Sequence, residues 1–244
     1  SLSGNGSVNF SGPLSWQAAM KLKDFNPGYW VPLLEASLSG DVTSEGQLGE
    51  GPIPVMNANW DLAGDWRSKP ASLTGRLDTA SGNWELSGLN LAIGDNRVQG
   101  SGTWGDILRA DLSLNLPSPD AFLPDLSGSL EATLTAEGTP ERPEGQRTAR
   151  GRELGWQDQL AIQTLNLDAR LGAGLSLESR MEAATIRGFG QTLNALVVEA
   201  NGTRDQHTVS IDAEHTEAGL ALAFDGGAGE DWQTWNGALA RGVI

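Results

Sequence analysis

The stretch at 111–116, Asp-Leu-Ser-Leu-Asn-Leu, alternates polar and aliphatic residues without a break. Successive side chains of a β-strand point to opposite faces, so the three leucines of this stretch share one face of a strand. The stretches at 130–134, 208–213 and 219–224 alternate in the same way. Helical periodicity is nearly missing from the chain. The pattern therefore predicts an all-β protein.

Turn-forming residues divide these alternating runs. Gly, Asn and Asp recur about every eight to twelve residues, which is the spacing of a meander of roughly fifteen short strands. Ser81-Gly82-Asn83 and Gly94-Asp95-Asn96 predict hairpin turns. The best helical candidates are short turns at 16–21 and 119–123. The charged, apolar-poor stretch at 140–152 predicts an exposed loop.

A ten-residue pattern occurs twice in the chain, at an offset of 92 positions (119 − 27 = 92). The two copies consist of Pro27, Trp30, Val31, Pro32, Leu34, Leu38, Val42, Thr43, Glu45 and Gly46, and of Pro119, Phe122, Leu123, Pro124, Leu126, Leu130, Leu134, Thr135, Glu137 and Gly138. The prolines are predicted to end one strand, hold a short turn and begin the next strand, because Pro cannot sit in a central ladder. Such duplication favours a stacked, quasi-linear architecture. We therefore predict two β-repeat segments, 1–106 and 107–244, in one continuous elongated sheet that belongs to a longer chain.

The amino-acid composition argues against several classes of partner and site. The chain has 31 acidic and 16 basic residues and a net charge of −15. A polyanion cannot neutralise phosphates, so we expect no nucleic-acid partner, and the same sign opposes docking on anionic membrane surfaces. The chain contains no cysteine, which excludes disulfides, zinc thiolate sites and Cys nucleophiles. No apolar run approaches the roughly 18 residues that a membrane helix needs.

The chain offers little for catalysis or metal binding. It has two histidines, His207 and His215, and no arrangement of acids around them resembles a zinc site. The sequence at 226–231 matches the start of a calcium-binding nonapeptide, but that motif works only in tandem. No nucleophile elbow, phosphate loop or His-Glu-x-x-His motif occurs. We expect no enzyme activity, no catalytic residue, no metal and no cofactor.

The apolar residues that alternate along the strands must be covered by something. They are mostly Leu, Ala and Val, which make a smooth wall, whereas a dense core usually mixes in large aromatics. We predict an elongated, curled, antiparallel-rich meander sheet with an apolar concave face. The residues predicted to line this groove are Leu62, Leu86, Leu112, Leu114, Leu116, Leu130, Leu134, Leu165, Leu167, Val209, Ile211, Leu220, Leu222 and Phe224. An ordinary core, in a self-filled sandwich that serves as a spacer, is the alternative.

Nine tryptophans add a further pattern. Most of them stand beside Gly or a turn, close to the predicted strand ends; they are Trp60, Trp66, Trp84, Trp104, Trp156, Trp232 and Trp235. One interpretation is that they seal the edges of the apolar layer, with the indole N–H reaching water. The other is that they form a rim where acyl chains enter.

Two stretches resemble a known family. The run at 123–138, Leu-Pro-Asp-Leu-Ser-Gly-Ser-Leu-Glu-Ala-Thr-Leu-Thr-Ala-Glu-Gly, resembles the TamB proteins of Gram-negative bacteria, within the wider AsmA-like group. The strand at 193–203, His207, and the closing Trp-Gln-Thr-Trp-Asn-Gly-Ala-Leu at 232–239 are similar to interior TamB segments. The resemblance covers residues from about 108 to the end, and extends to the first hundred residues through the shared repeat.

The resemblance implies a fold and a function. TamB-like proteins are anchored in the inner membrane and cross the periplasm as a curled sheet, a β-taco, to meet the outer-membrane barrel protein TamA. They are linked to phospholipid movement between the two membranes and to the assembly of autotransporters and outer-membrane proteins. We therefore expect a monomeric periplasmic segment whose apolar groove conducts phospholipid acyl chains, with TamA contacted through regions outside this segment. The alternative function is a chaperone-like scaffold for outer-membrane proteins.

Overall fold

A computed structural model describes residues 1–29, 35–49, 51, 53–157, 159–229 and 234–244. It contains a single sheet of 16 strands in which each strand lies beside its neighbours in the chain order, from β1 to β16. The sheet is not closed, because β1 and β16 lie at its two ends and not beside each other. The predicted all-β, antiparallel meander is therefore confirmed.

The strands are β1 (Leu2–Asn9), β2 (Ser15–Phe25), β3 (Ala36–Gln47), β4 (Val55–Trp66), β5 (Lys69–Asp78), β6 (Trp84–Ile93), β7 (Asn96–Trp104), β8 (Leu108–Leu116), β9 (Leu126–Thr139), β10 (Arg142–Trp156), β11 (Leu160–Gly172), β12 (Ser176–Gly188), β13 (Gln191–Gly202), β14 (His207–Glu214), β15 (Gly219–Ala228) and β16 (Trp235–Val243). Short 3-10 turns lie at Pro27–Tyr29, Pro119–Ala121 and Ala173–Leu175. None of the described residues forms an α-helix, and none of their helices is long and apolar enough to cross a membrane.

The chain divides into two compact units, Ser1–Leu114 and Asn115–Ile244. In the first unit, β1 to β7 pair antiparallel in succession. Side-chain alternation shifts by one residue between Leu22 and Phe25 in β2, where Asp24 has a φ of 50°. A similar shift lies between Leu86 and Leu89 in β6. These bulges keep the apolar residues on both sides of each shift on one face of the sheet.

In the second unit, β9 to β16 pair antiparallel in succession. The alternation again shifts locally, between Arg152 and Gly155 in β10, where Glu153 has a φ of 49°. Within β12, Thr185 has a φ of 50°. Such positive φ values are uncommon outside Gly, so they mark places where the strands depart from a regular pleat.

The repeated pattern has a structural counterpart within each unit. Pro27 and Pro119 each begin a 3-10 turn at equivalent positions of the repeat, and a strand follows each turn, β3 and β9. The prediction that the first proline of each copy holds a turn before a strand is confirmed. Trp30, Val31, Pro32 and Leu34 of the first copy lie outside the described residues.

Two local predictions are wrong. The stretch at 16–21, a helical candidate, lies inside β2. The stretch at 140–152, predicted as an exposed loop, is mostly β10, and its Ala149 and Gly151 are buried. Both residues lie opposite aliphatic residues of β9 and β11. Pairing on both sides and burial of small residues therefore hold this charged segment in the sheet, against its local composition.

Few apolar side chains are fully buried among the described residues. The buried apolar residues are Ala36, Leu38, Leu62, Ala71, Ile93, Leu116, Ala121, Ala149 and Ala183. Several of them are alanines, and the largest side chains with almost no exposure are those of Ile93, Asn96, Thr79 and Pro119. The apolar side chains therefore pack against their neighbours within the sheet and keep part of their surface exposed.

Candidate functional site

The strand register sorts the second unit into apolar rows. One row crosses seven strands, from β9 to β15, and consists of Ala132, Ala149, Leu167, Met181, Val198, Ile211 and Leu222. Each residue of this row lies directly opposite the next one on the neighbouring strand. Directly opposed side chains in an antiparallel sheet project from the same face and contact each other. The row is thus a continuous apolar band across the unit.

Two further rows flank this band on the same face. One consists of Leu130, Gly151, Leu165, Ala183, Leu196, Ala213 and Leu220. The other consists of Leu134, Arg147, Ala169, Ser179, Ala200, Val209, Phe224 and Leu239. All of the lining residues that were predicted between Leu130 and Phe224 lie in these three rows. We call the face that carries them the apolar face of the second unit.

The first unit has an apolar face built in the same manner. One of its rows consists of Leu2, Leu22, Gly40, Leu62, Leu73, Leu91 and Val98. Leu86 lies opposite Leu77 and Gly102 in a neighbouring row. Leu112 of β8 packs over Gly100 of β7, where a Cβ atom would collide with it. The predicted lining residues Leu62, Leu86 and Leu112 therefore lie on this face.

The pleat of β8 determines the face on which its other two predicted lining residues lie. Leu114 and Leu116 stand two and four residues after Leu112 in the same strand, so they share its face. Leu62 and Leu116 are each 8% exposed, and the other twelve predicted lining residues are half-buried. A half-buried aliphatic side chain still has apolar surface available for a ligand. Whether a ligand uses that surface stays a prediction.

The opposite face of the sheet is polar. In the second unit, Thr133 and Thr148 share a hydrogen bond of 2.7 Å between their hydroxyl oxygens, across β9 and β10. Arg180 donates from Nε to Glu182 at 2.8 Å and also pairs with Glu199. Hydrogen bonds from these two carboxylates, Glu182 before Glu199, hold the pKa of the Arg180 guanidinium above its ordinary value. Exposed ion pairs of this kind add little stability but keep the face hydrated.

The polar face of the first unit carries a similar network. The Asp78 carboxylate accepts hydrogen bonds from the Ala80 backbone N–H at 2.8 Å, the Asn57 amide at 2.9 Å and the Arg76 guanidinium at 3.1 Å. These bonds favour the ionised form and lower the pKa of Asp78, with the Ala80 bond as the largest cause. The carboxylate lies at the end of β5 and is half-buried.

Shallow depressions lie on the polar face. One, of about 530 Å³, is lined in the first unit by residues that include Gln17, Thr43 and Glu45. Another, of about 400 Å³, is lined in the second unit by residues that include Asp168, Arg170 and Glu178. Their polar lining differs from the smooth aliphatic surface of the apolar face, and neither depression contains one of the predicted lining residues.

The histidines do not form a metal site in the structure. His207 begins β14 and accepts a hydrogen bond at Nε2 from Trp235 Nε1 at 2.8 Å. His215 lies beyond the end of β14 and accepts at Nδ1 from the Glu217 backbone N–H. Within the described ranges, no three His, Asp or Glu side chains converge as metal ligands do. Of the nonapeptide-like stretch, Gly226 lies in β15, while Glu230 and Asp231 fall outside the described residues.

The tryptophans lie mainly at strand ends, as predicted. Those at the first or last residue of a strand are Trp66, Trp84, Trp104, Trp156 and Trp235. Trp60 differs, because it lies within β4, its ring covers Gly75, and its Nε1 is buried without a partner in the described part of the chain. For this residue, the interpretation that the indole N–H reaches water is wrong. Trp232 lies outside the described residues.

Sequence reasoning missed several residues of the apolar rows, and one of them is charged. Arg147 lies opposite Leu134 on one side and Ala169 on the other. It was hidden because the stretch around it was taken for a loop. The signal was present in the alternation of Gly145, Arg147, Ala149 and Gly151, in which small residues occupy the same face as the arginine.

Comparisons with known proteins give a consistent result. The family model described as "TamB, N-terminal domain" matches residues 1–244. Among curated proteins, the translocation and assembly module subunit TamB of Haemophilus influenzae is 23% identical over 240 residues. That alignment covers 97% of this chain but only 18% of the relative, so the chain spans about a fifth of that protein's length. No solved structure shows a significant match.

Proposed function

The chain belongs to the TamB family, since the model of that family's N-terminal domain matches residues 1–244, and we propose that its apolar face carries phospholipid acyl chains. The observation that supports this proposal is the set of mainly aliphatic rows that cross the strands of each unit, with side chains that mostly remain half-buried. In the proposed state the sheet curls so that the apolar face is concave, acyl chains cover the rows, and headgroups stay in water.

The energetics favour a hydrocarbon ligand. Covering apolar surface contributes about 25 cal/mol per Å², and a fully covered Leu, Val or Phe side chain contributes roughly 1.5–3 kcal/mol. The middle row of the second unit offers Leu167, Val198, Ile211 and Leu222 on successive or nearby strands. Similar side chains at every step give similar affinity at every step. An acyl chain on such a surface can move from row to row because no single position binds it much more tightly than the others.

We place the segment in the periplasm, as part of a protein anchored in the inner membrane. The proposal rests on family membership. The name of the Haemophilus influenzae relative describes a subunit of a translocation and assembly module, which implies a partner for that protein. We propose that the partner of the full-length protein is an outer-membrane barrel of the TamA type, contacted through regions other than residues 1–244. In this arrangement the segment itself acts as a monomer and needs no cofactor or enzymatic step.

Charge substitutions on the two faces test lipid conduction. Leu134→Glu and Leu222→Glu put a carboxylate on the apolar face, where it meets aliphatic neighbours in the register. The matched controls, Thr135→Glu and Ala223→Glu, put the same charge on the polar face one residue further along the strand. We expect the apolar-face variants, but not the controls, to lose phospholipid transfer between donor and acceptor vesicles. Unchanged transfer by correctly folded Leu134→Glu and Leu222→Glu proteins would contradict the proposal.

A chaperone-like scaffold for outer-membrane protein strands is the second candidate. The observation that favours it is the same set of half-buried aliphatic side chains, because the apolar side chains of an extended polypeptide can also cover them. Native mass spectrometry of the purified protein distinguishes the candidates. Co-purified phospholipid supports conduction, whereas bound unfolded polypeptide without lipid supports the scaffold.

A further inference from the structure

A single arginine interrupts the apolar face of the second unit. The ladder pairs Arg147 with Leu134 of β9 and Ala169 of β11. Among the described residues of β9 to β16, the other positions of the three apolar rows are aliphatic or aromatic residues, Met, Gly or Ser. Arg147 is therefore the one charged side chain in these rows, within the part of the sheet that the structure describes.

The immediate neighbours leave room around the guanidinium. Along β10, the residues two positions away on the same face are Gly145 and Ala149. The directly opposed Ala169 is also small, and the next residue along that row is Ser179. Arg147 itself is exposed. The largest side chain directly beside it in the register is that of Leu134, so a ligand can approach from the open side of the sheet.

No carboxylate of the described residues neutralises this charge. The ion pairs in the described parts of the second unit are those of Arg180 and Arg204, and they do not involve Arg147. Glu144 lies three residues before Arg147 in β10, and Asp168 lies beside Ala169 in β11. Both occupy positions of opposite parity to the apolar rows and therefore project from the polar face. A positive charge thus stands alone on an apolar surface of a protein whose net charge is −15.

The chemistry of this site selects an anion attached to hydrocarbon. A guanidinium binds phosphate or carboxylate oxygens through two parallel hydrogen bonds, and such charge-assisted bonds are about twice as strong as neutral ones. The aliphatic residues in the row of Arg147 and in the adjacent band favour apolar chains. A phospholipid offers both features in one molecule, with a phosphodiester at the boundary between its acyl chains and water.

We propose that Arg147 binds the phosphodiester of a phospholipid whose acyl chains lie on the neighbouring aliphatic rows. The inference rests on the proposed function and adds to it a point that fixes the depth and orientation of the headgroup. Leu134 lies beside Arg147 in its row and Leu167 lies in the adjacent row, so they would contact the first methylenes below the phosphate. The rows further from Arg147 would contact the ends of the acyl chains.

A binding experiment on the full-length protein tests this assignment with two lipids that share their acyl chains. Phosphatidylglycerol carries the phosphodiester, and diacylglycerol lacks it. The variants are Arg147→Leu, Arg147→Gln and Arg147→Lys, and the matched control is Arg150→Leu, which lies in the same strand on the polar face. We expect Arg147→Leu and Arg147→Gln to weaken phosphatidylglycerol binding about tenfold to a hundredfold, as for the loss of a hydrogen bond to a charged group.

The other arms separate the possible causes. The affinity for diacylglycerol should stay within twofold of the wild-type value for every variant. Arg147→Lys should retain part of the phosphatidylglycerol affinity. Arg150→Leu should bind both lipids as the wild type does. Wild-type affinity of Arg147→Leu for phosphatidylglycerol would overturn the assignment and leave the lipid-carrying function intact. Equal loss of both lipids would also overturn it, since the arginine would then act on the fold.

Two further outcomes concern the source of the anion and the function itself. The first outcome concerns inorganic phosphate and the lipid-free wild type. If phosphate binds there as tightly as phosphatidylglycerol does, and if this binding needs Arg147, the lipid headgroup is not the specific ligand and the assignment is overturned. Failure of the wild type to bind either lipid would contradict the proposed function, and the headgroup site with it. The diacylglycerol arm thus distinguishes a failure of the site from a failure of the function.

Discussion

Trp235 Nε1 donates a hydrogen bond of 2.8 Å to His207 Nε2, and this bond joins the start of β16 to the start of β14. His207 Nδ1 lies 3.0 Å from the carbonyl oxygen of Thr203, in the turn before β14. Because Nε2 accepts, Nδ1 must carry the proton that is donated to Thr203. The indole ring also lies over Gly226 and Gly237, where any Cβ atom would collide with it. The contacts of His207 and Trp235 therefore stabilise the position of β16 at the end of the sheet.

Removal of the indole donor should loosen β16 selectively. Trp235→Phe keeps an aromatic ring but removes the hydrogen bond to His207, which is worth about 1 kcal/mol. Trp235 is 46% exposed, so we expect a local effect on β16 and not global unfolding. Amide hydrogen exchange of β16 should accelerate about fivefold, the factor that corresponds to this energy.

Two comparisons control that experiment. Trp156→Phe changes a tryptophan of similar exposure, 42%, at the end of β10, and it should leave the exchange of β16 unchanged. His207→Ala removes the acceptor and should accelerate the exchange of β16 as Trp235→Phe does. Slower or unaltered exchange of β16 in both the Trp235 and the His207 variants would show that the bond does not hold this strand.

Gly40 is a position that the first unit requires to be glycine. Its φ is 149°, which L-residues with a side chain rarely adopt, and a Cβ atom would collide with the backbone oxygen of Asp61 on β4. Gly40→Ala should therefore destabilise the protein by about 2 kcal/mol or more, in a chemical denaturation experiment. Gly12→Ala is the control, because a Cβ atom there meets open space, and we expect a change within about 0.5 kcal/mol.

The Asp78 network predicts a pH-dependent difference in stability. The pKa of Asp78 is lowered below the ordinary 3.8, chiefly by the Ala80 backbone N–H. A carboxylate with a depressed pKa in the folded protein stabilises it above the unfolded pKa and loses that effect as pH falls through the folded value. Asp78→Asn should therefore lower the free energy of unfolding at pH 6, and its difference from wild type should shrink as pH falls below 3.8.

Denaturation curves at several pH values measure this difference directly. Asp65→Asn serves as the control, since Asp65 lies on the same polar face of the paired strands β4 and β5, opposite Pro70. Its difference from wild type should not follow the pH profile of the Asp78 variant. A constant gap between wild type and Asp78→Asn from pH 6 to pH 3 would refute the stabilising role of the ionised carboxylate.

The strand content and the face assignment could be predicted because alternation is a local property. Leu112, Leu114 and Leu116 share a face in any strand, whatever the neighbouring strand is. The turn at Pro119 could be predicted for a similar reason, since proline has a fixed φ and no backbone donor. The antiparallel meander followed from short connections between strands.

The missed features depend on pairing between strands. Ala149 and Gly151 lie in a charged stretch, and only their opposition to β9 and β11 shows that they belong to the sheet. The local shift beside Asp24 is hidden for the same reason, because it changes which residues share a face without any break in composition. Arg147 combines both difficulties, since the charges around it hide the alternation of small residues that puts it on the apolar face.

Site-specific photo-crosslinking in living cells tests the central claim most directly. A benzophenone amino acid in place of Leu167 or Leu222 probes the apolar face of the second unit, and the same residue in place of Asn166 or Ala221 probes the polar face one position away. We predict phospholipid adducts, identified by mass spectrometry, at Leu167 and Leu222 and at neither polar-face position. Equal adducts on both faces, or only protein adducts at Leu167 and Leu222, would contradict the account.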